Sequence, residues 1–477
     1  MKKLLWFTGL FVIVSSLQAQ EIKKEKPDLS EAFRMIDVWL EAQKDFDQLP
    51  GISVGVVDDQ ELIYARGFGQ ANPEQDVECA ANTIYSICSI SKLFTAVAIM
   101  KLYDAGKLRL DDRIEELLPW FDLKQQYEGS GPITVRSLLT HSSGLPREAN
   151  TAYWTAPDFP FPTREKVKNE LKNQETLYPA STYFQYSNLG LTLLGEIVAT
   201  ISGMPYETYI QEHILKPLRL NDTRTEMPES LYGNQLAVGY SAQKRKSDRD
   251  KIALFQANGI TAAAGFSSTV EDLARFASWQ FRLLESGETE ILKASSLKNM
   301  HRVHWVNPDW KTTWGLGFSV YEDNGNTMVG HGGSCPGYRS TLSMDLKKKM
   351  AAVVMINAGG TNPSKYVRAI RAILQKAMKG DQDSPEGPSL EDYAGTYDSQ
   401  PWWSEVVVLP WKGKLAHFSL PSSNPAEGMN LLRHIEGDTF RRIRKDDTLG
   451  ETITFERDSS GKVVRMRRHN NYSVRMN

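Results

Sequence analysis

The chain reads ICSISKLFTA from Ile87 to Ala96, and this stretch carries most of the information about the fold. It places Ser89 and Lys92 three residues apart, and an apolar run follows to Leu102. Because residues three apart are neighbours on a helix, the hydroxyl and the amine are expected to meet on one helix face. A lysine in a dry cleft can lose its charge and take a proton from such a hydroxyl. The stretch therefore predicts a nucleophilic serine at the start of a buried helix.

The Ser-x-x-Lys spacing alone is a weak signal, because it recurs at Ser241–Lys244, Ser295–Lys298 and Ser459–Lys462. Those three copies fall in a charged loop, a polar helical stretch and a turn. Ser89 alone can lie at the N-terminus of an apolar helix, where free backbone N–H groups and the helix dipole favour negative charge. An attacking alkoxide and a tetrahedral oxyanion both need that environment, so Ser89 is the copy expected to react.

The N-terminus has the pattern of a secretory signal peptide, expected over residues 1–20. Lys2 and Lys3 precede an apolar core, Leu4–Leu17, and Ala19 offers a small residue for cleavage. The apolar core is shorter than the roughly 20 residues of a membrane span. We expect a periplasmic or secreted protein with no stable membrane span after cleavage, and an uncleaved anchor is the minor alternative.

Composition excludes several classes of function. The formal net charge of -2 over 477 residues argues against bulk nucleic-acid binding. Three cysteines, Cys79, Cys88 and Cys335, leave at least one thiol unpaired, so the fold is not expected to depend on disulfides. Cys88 is interpreted as a packed core thiol. The eight histidines are scattered without metal-ligand spacing, so neither a metal nor a cofactor is expected.

Periodicity predicts an α+β unit over residues 21–378. An early strand pair is expected to share its sheet with late strands, so that the sheet joins both ends of the unit. The predicted elements are the helix Leu29–Phe46, the hairpin strands Gly51–Val57 and Leu62–Ala65, a short helix capped by Thr134, the helix Leu189–Ile201, a helix opened by Ser268 with Glu271 and running through Trp279, the strands Gly315–Tyr321, Ser340–Asp345 and Ala351–Ile356, and the helix Tyr366–Met378.

Residues 379–389 are rich in Gly, Pro and Asp and are predicted to be a linker. Short strand candidates with turns between them follow, and they predict a small antiparallel, lipocalin-like β domain over residues 390–477. The candidates are Glu405–Leu409, Leu415–Leu420, Thr439–Ile443, Thr452–Glu456 and Val463–Arg468. The basic cluster Arg441–Lys445 is interpreted as a solvated strand face and turn rather than a nucleic-acid site.

Two further motifs can complete a serine–lysine site. Tyr186-Ser187-Asn188 stands at a helix start, so the phenol could act as base or relay and the Asn188 amide could contact a substrate amide. His331-Gly332-Gly333 precedes a strand, and its glycines let a substrate approach the backbone. His331 could hold a carboxylate or tune the proton relay.

These motifs occur in the order found in a known superfamily. The chain resembles the serine hydrolases that include class C β-lactamases, penicillin-recognising D-alanyl-D-alanine carboxypeptidases, D-aminopeptidases and family VIII esterases. The run LLTHSSGLP, Leu138–Pro146, also matches, and the resemblance covers residues 30–378. It implies a β-lactamase/transpeptidase-like fold, in which helices flank a central antiparallel sheet beside an all-helical region.

The resemblance also implies roles for individual residues. Ser89 resembles the acylated nucleophile, and Lys92 and Tyr186 resemble the proton-transfer pair. Asn188 resembles the contact to the substrate amide, and His331 takes the place of the lysine in the third element.

Three further residues follow from the same motifs. Gly333 belongs to the substrate-binding element, and the backbone N–H groups of Ser89 and Ser334 match the oxyanion-hole positions. His141, in the Leu138–Pro146 run, is interpreted as a structural residue that ties loops together.

One departure narrows the expected function. The Lys-Thr-Gly element of class C β-lactamases is missing, since Lys311-Thr312-Thr313 lacks the glycine. We therefore expect an exported serine hydrolase that cleaves an amide or ester through an acyl-Ser89 intermediate, with a small peptide, a D-amino-acid derivative or an ester as substrate. The alternatives are a penicillin- or peptide-binding sensor that is acylated without turnover, and a weak β-lactamase. The aromatic residues Trp154, Phe159 and Phe161 could line the cleft or pack their own loop.

Overall fold

The fold is taken from a computed structural model that describes residues 27–379 and 387–476. The predicted signal peptide and most of the predicted linker lie outside these residues. The described helices are α1 (Ser30–Phe46), α2 (Ser91–Asp104), α3 (Ile114–Leu117), α4 (Val135–Leu139), α5 (Arg164–Glu170), α6 (Asn188–Ser202), α7 (Tyr206–Ile210), α8 (Lys216–Leu218), α9 (Thr261–Ala264), α10 (Val270–Ser286), α11 (Ala294–Met300), α12 (Pro363–Ala377) and α13 (Pro425–Gly428).

The described strands of the first unit are β1 (Gly51–Asp58), β2 (Glu61–Asn72), β3 (Val77–Glu78), β4 (Tyr85–Ser86), β5 (Ser267–Ser268), β6 (Thr289–Glu290), β7 (Leu292–Lys293), β8 (Trp305–Val306), β9 (Thr313–Trp314), β10 (Ser319–Asp323), β11 (Asn326–Cys335), β12 (Tyr338–Asp345) and β13 (Met350–Ile356). Those of the second are β14 (Gly395–Asp398), β15 (Glu405–Trp411), β16 (Lys414–Leu420), β17 (Asn430–Glu436), β18 (Thr439–Ile443), β19 (Leu449–Arg457), β20 (Val463–Arg468) and β21 (Asn471–Val474).

A nine-stranded antiparallel sheet forms the centre of the first unit, in the order β3-β2-β1-β13-β12-β11-β10-β9-β8. β1 lies between β2 and β13, with Ile52 opposite Ile356, so the two ends of the unit meet in one sheet as the sequence predicts. Both central strands are apolar almost throughout because helices cover both faces of the sheet. The α+β class and the β-lactamase/transpeptidase-like fold are confirmed.

The two faces of the sheet carry different helices. α1 and α12 pack on one face, around Trp39 and Tyr366. α10 packs on the other face, and its Phe276 stacks on Phe94 of α2, which packs in turn against α6 and α9 in the all-helical region. α2 and β11 therefore lie at the boundary between the sheet and the helical region, which is where the candidate site forms.

The C-terminal unit is an eight-stranded antiparallel sheet that runs in chain order from β14 to β21 and nearly closes into a barrel. A bridge between Tyr397 and Arg475 joins its first and last strands. Val406 and Val408 of β15 face the barrel interior, whereas Val407 and Leu409 belong to the core built by α1 and α12. Alternate residues of one strand thus bury apolar surface on two sides, and the barrel is packed against the first unit.

Several predicted boundaries differ from the structure. The N-cap of α10 is Thr269, whose hydroxyl accepts from the Asp272 N–H at 3.1 Å, and the helix continues past Trp279 to Ser286. The predicted strand Gly315–Tyr321 begins in the turn between β9 and β10, and only its last three residues, Ser319–Tyr321, belong to β10. β2 continues past Ala65 to Asn72, and the His331-Gly332-Gly333 motif lies inside β11 rather than before a strand. Ser268 and Thr269 are both suitable N-cap residues, so the sequence pattern does not show which of them begins the helix. A short turn that contains glycines can likewise be mistaken for part of a strand.

Within residues 27–379 and 387–476, no single helix is long and apolar enough to cross a membrane. α6 and the segment Tyr206–Leu218, bent by 79° relative to each other, meet that test together by length and composition alone.

Candidate active site

Ser89 lies in a 3₁₀ turn, Cys88–Ile90, that leads directly into α2. Cys88 has a φ of 52°, a left-handed conformation that costs a non-glycine residue about 1–3 kcal/mol and recurs at functional sites. The Ser91 hydroxyl holds the turn by donating to the Cys88 carbonyl and accepting from the Phe266 N–H. The half-buried Ser89 side chain is therefore presented at a helix N-terminus, as expected.

Lys92 is fully buried beneath Ser89. Its Nζ donates to Ser89 Oγ at 3.2 Å, to Asn188 Oδ1 at 2.7 Å and to the Ala263 carbonyl at 2.7 Å. Burial lowers the pKa of the Lys92 amine to about 7, since a charged amine is costly out of water. A neutral amine is thus accessible near neutral pH, and it lies within hydrogen-bond distance of the hydroxyl.

Asn188 is held from both ends of its amide. Its Nδ2 donates to Glu148 Oε1 at 2.8 Å and Oε2 at 3.0 Å, which fixes Oδ1 as the acceptor for Lys92. The Tyr153 hydroxyl also donates to Glu148. The resemblance assigns Asn188 to the substrate amide, and in this structure its contacts are with Lys92 and Glu148. The sequence reasoning missed Glu148, although an acid two residues after the Leu138–Pro146 run was available as a signal.

Tyr186 and His331 lie side by side, with the Tyr186 hydroxyl 3.5 Å from His331 Nε2. His331 Nδ1 is 2.6 Å from the Gly332 carbonyl, which can only accept, so Nδ1 carries the hydrogen and Nε2 is an acceptor. Burial, helped by the charge of Lys92, lowers the pKa of His331 to about 3. The ring is therefore neutral at neutral pH, which favours a part in the proton relay over binding a carboxylate.

Burial also raises the pKa of the Tyr186 phenol above its usual value. At neutral pH the phenol keeps its proton, and it is suited to donate rather than to act as a phenolate base.

Other side chains enclose Tyr186. His141 Nδ1 accepts from the Ser187 N–H at 3.1 Å, and its ring centroid lies 4.2 Å from that of Tyr186. His141 thus ties the Leu138–Pro146 run to the tyrosine loop. The Trp314 ring lies edge-on to His331 at 5.5 Å, and the Arg147 guanidinium lies 4.8 Å from the centre of the Tyr186 ring. Neither Trp314 nor Arg147 was anticipated: Trp314 lies in the two-residue strand β9, which no motif marks, and Arg147 directly follows the Leu138–Pro146 run.

β11 brings Gly333 and Ser334 against the turn that carries Ser89. A Cβ on Gly333 would lie 2.2 Å from the Ile87 carbonyl oxygen and 2.1 Å from Ser340 Oγ, so glycine alone fits this approach. Ser334 follows directly and is paired with β12. The two backbone positions expected for an oxyanion hole, Ser89 and Ser334, thus lie on neighbouring segments.

Replacing Gly333 by alanine is expected to destabilise the protein by about 1–3 kcal/mol, because the new methyl group must displace backbone. Urea unfolding measures this change. Gly131→Ala is the matched control, since a Cβ there meets nothing within 4 Å. Equal stability of the two variants would contradict the close approach of β11 to Ile87.

The aromatic residues Trp154, Phe159 and Phe161 pack against one another and against Phe255 of a neighbouring loop. Phe161 stacks on Phe255 with centroids 5.3 Å apart, Trp154 lies 5.0 Å from Phe161, and Phe159 is buried. In the described part of the chain, no group of three or more His, Cys, Asp or Glu side chains is placed to hold a metal ion.

Comparisons with known proteins cover most of the chain. The model of the beta-lactamase family matches residues 38–377. Protein flp of Staphylococcus aureus (strain MW2) is 26% identical over 343 residues, which cover 70% of this chain and 65% of that protein, so the chain spans about two thirds of this relative.

Two solved structures share the fold. The octameric penicillin-binding protein homologue from Pyrococcus abyssi gives a TM-score of 0.63 at 26% identity, covering 93% of this chain and 100% of that chain. A beta-lactamase/D-alanine carboxypeptidase from Yersinia pestis complexed with citrate gives a TM-score of 0.60 at 22% identity. That match covers 73% of this chain and 99% of the other chain. The first likeness extends over the C-terminal barrel as well.

Proposed function

We propose that this chain, which belongs to the beta-lactamase family of serine hydrolases, cleaves an amide or ester bond through an acyl intermediate on Ser89. The observation that carries the proposal is the buried Lys92 amine 3.2 Å from Ser89 Oγ, with a pKa lowered to about 7. An amine of that pKa is partly neutral at physiological pH, and a neutral amine can accept the hydroxyl proton.

The reaction proceeds in two halves. Lys92 takes the Ser89 proton while Oγ bonds to the substrate carbonyl carbon, and the backbone N–H groups of Ser89 and Ser334 stabilise the resulting oxyanion. The carbon–nitrogen or carbon–oxygen bond then breaks, and the leaving group receives a proton through Tyr186. Water attacks the acyl-serine in the second half, releases the acid and returns the proton to Ser89.

The substrate is a small peptide, a D-amino-acid derivative or a short ester. The neutral His331 in place of a lysine supports a peptidase or esterase over an efficient β-lactamase. The basic and apolar start of the chain supports export to the periplasm or the medium, where such substrates are encountered.

A time course of covalent labelling tests the proposal. The purified protein is incubated with a fluorophosphonate or a fluorescent penicillin, and the adduct mass is followed. We expect one adduct per chain on Ser89, with the penicillin adduct decaying as water releases it.

The other outcomes separate the alternatives. A penicillin adduct that persists without product release would identify a sensor rather than a hydrolase. Failure of both probes to label Ser89 in folded protein would overturn the acyl-enzyme mechanism.

A further inference from the structure

Two cysteines stand beside the two backbone positions expected to form the oxyanion hole. Cys88 directly precedes Ser89, and Cys335 directly follows Ser334. Cys88 is fully buried and Cys335 is 3% exposed, and both are free thiols in this structure. The acyl transfer at Ser89 uses neither thiol, so their place beside the reacting groups has to be explained separately.

β11 directs the Cys335 side chain toward the turn that carries Cys88. Gly333 approaches that turn so closely that a Cβ on it would lie 2.2 Å from the Ile87 carbonyl oxygen. Residues two apart on a strand share a face, so Cys335 faces the same way as Gly333. Ser334, between them, faces the other way and is exposed. Because Cys88 directly follows Ile87, its side chain and that of Cys335 meet where strand and turn touch.

The contacts of the two thiols show that they are neighbours. Burial raises the pKa of the Cys88 thiol well above its usual range, and a hydrogen bond with the Cys335 thiol raises it further. Cys335 Sγ also lies 3.9 Å from the carbonyl oxygen of Ala264. Two residues later, the Phe266 carbonyl accepts from the Ile87 N–H at 2.9 Å, so this segment lies along the same turn.

The third cysteine is in a different place. Cys79 Sγ accepts from the Tyr85 hydroxyl at 3.2 Å, and it lies against the start of β1, where a Cβ on Gly51 would be 2.3 Å from the sulfur. The fold therefore brings together Cys88 and Cys335 and leaves Cys79 as the unpaired thiol of the three.

We propose that Cys88 and Cys335 form a disulfide bond when the chain folds in an oxidising compartment, and that this bond ties the nucleophile turn to β11. The proposal rests on the proposed function only for the export of the chain, because disulfides form outside the reducing cytosol. The oxidant is another disulfide, such as glutathione disulfide. One cysteine thiolate attacks it and releases one thiol, and the second cysteine displaces the other, so two electrons and two protons pass to the oxidant.

Burial determines when the bond forms and what it does. Both thiols are inaccessible in the folded chain, so the exchange takes place during folding, and the finished bond is protected from reductants. The bond closes a long loop of chain and so restricts the unfolded state. In the folded state it holds the N–H groups of Ser89 and Ser334 on their neighbouring segments.

Refolding tests the proposal. The protein is unfolded and reduced in urea, then diluted into a glutathione redox buffer or into dithiothreitol. Remaining thiols are alkylated in denaturant, and the protein is digested with chymotrypsin, which cleaves after Tyr85 and separates Cys79 from Cys88. After oxidative refolding we expect one alkylated cysteine, Cys79, and one linked peptide pair that contains Cys88 and Cys335. The oxidised protein should unfold at a urea concentration at least about 0.5 M higher than the reduced protein.

Variants assign the effect to this pair. Cys79→Ser is the matched control and should keep both the linked peptides and the difference in urea midpoint. Cys335→Ala and Cys88→Ala should lose the linked pair, and their oxidised and reduced forms should unfold at the same urea concentration.

Three results would overturn the proposal: three alkylated cysteines after oxidative refolding, a main product in which Cys79 is linked, or an oxidised form no more stable than the reduced form. Fluorophosphonate labelling of the same oxidised sample separates this proposal from the proposed function. A labelled Ser89 with three free thiols contradicts the disulfide alone, and a linked pair without a label on Ser89 contradicts the hydrolase mechanism alone.

Discussion

Ser89→Ala is expected to lower kcat/KM by about 10⁴-fold to 10⁶-fold, because it removes the atom that forms the acyl bond. The residual rate should come from substrate binding and the oxyanion donors, which the substitution leaves in place. Steady-state hydrolysis of an activated ester measures the effect, with the background rate subtracted. The methyl group of alanine occupies less space than the hydroxymethyl group at a half-buried position, so the fold should be retained.

Ser295→Ala is the matched control for this measurement. Ser295 and Lys298 repeat the Ser-x-x-Lys spacing on α11, where both side chains are exposed. We expect unchanged kinetics in that variant. If Ser89→Ala kept more than about a hundredth of the activity, Ser89 would not be the covalent nucleophile.

The pH dependence of kcat/KM is the second large expected effect. Because the pKa of Lys92 is lowered to about 7, the amine is protonated below that pH and cannot accept the Ser89 proton. Activity should therefore fall about tenfold for each pH unit below 7 and level off above it, a loss of about a hundredfold at pH 5. The measurement is kcat/KM for a substrate that does not itself titrate, taken from pH 5 to pH 9.

Substitutions of two neighbours of Lys92 should move the pH at which kcat/KM begins to fall, and they should do so in opposite directions. The Glu148 carboxylate raises the pKa of Lys92, and the Arg147 guanidinium lowers it. Glu148→Gln should lower the pKa of Lys92 and so move the fall in kcat/KM to lower pH. Arg147→Gln should raise that pKa and so move the fall to higher pH. If kcat/KM fell at the same pH in both variants as in the unmodified protein, a group other than Lys92 would be responsible for the pH dependence.

The sequence predicts the central strands β1 and β13 well because both are apolar on both faces, but it misses β11, which lies in the same sheet and carries His331 and Gly333. Ala351–Ile356 is a continuous apolar run, and in Gly51–Val57 only Ser53 is polar. The pairing of the two strands follows from the resemblance and from the order of elements. The barrel strands β14, β17 and β21 were missed. They are short or carry charged residues such as Arg433 and Glu436, so a local pattern separates them poorly from turns.

For the candidate site, motifs indicate residue types but not partners. Ser89, Lys92, Tyr186, Asn188 and His331 all come together in the structure. The motifs do not predict the contacts that residues from other parts of the chain make with these five side chains. The second contact of the Asn188 amide and the tautomer of His331 both depend on tertiary packing and on hydrogen bonds that sequence spacing does not encode.

The packing of the barrel on α1 and α12 has a consequence for how the chain could be divided. Several apolar side chains of β15 and β16 point out of the barrel and pack in the same core as Trp39 and Ile370. They are Val407, Leu409, Trp411, Ala416 and Phe418. A polypeptide that stopped before residue 390 would expose the helix surface that these side chains cover, and an isolated barrel would expose the other half. The Gly- and Pro-rich stretch separates two architectures, but the two units share one hydrophobic core and are expected to depend on each other for stability. Neither unit is expected to be stable and monodisperse when it is produced alone.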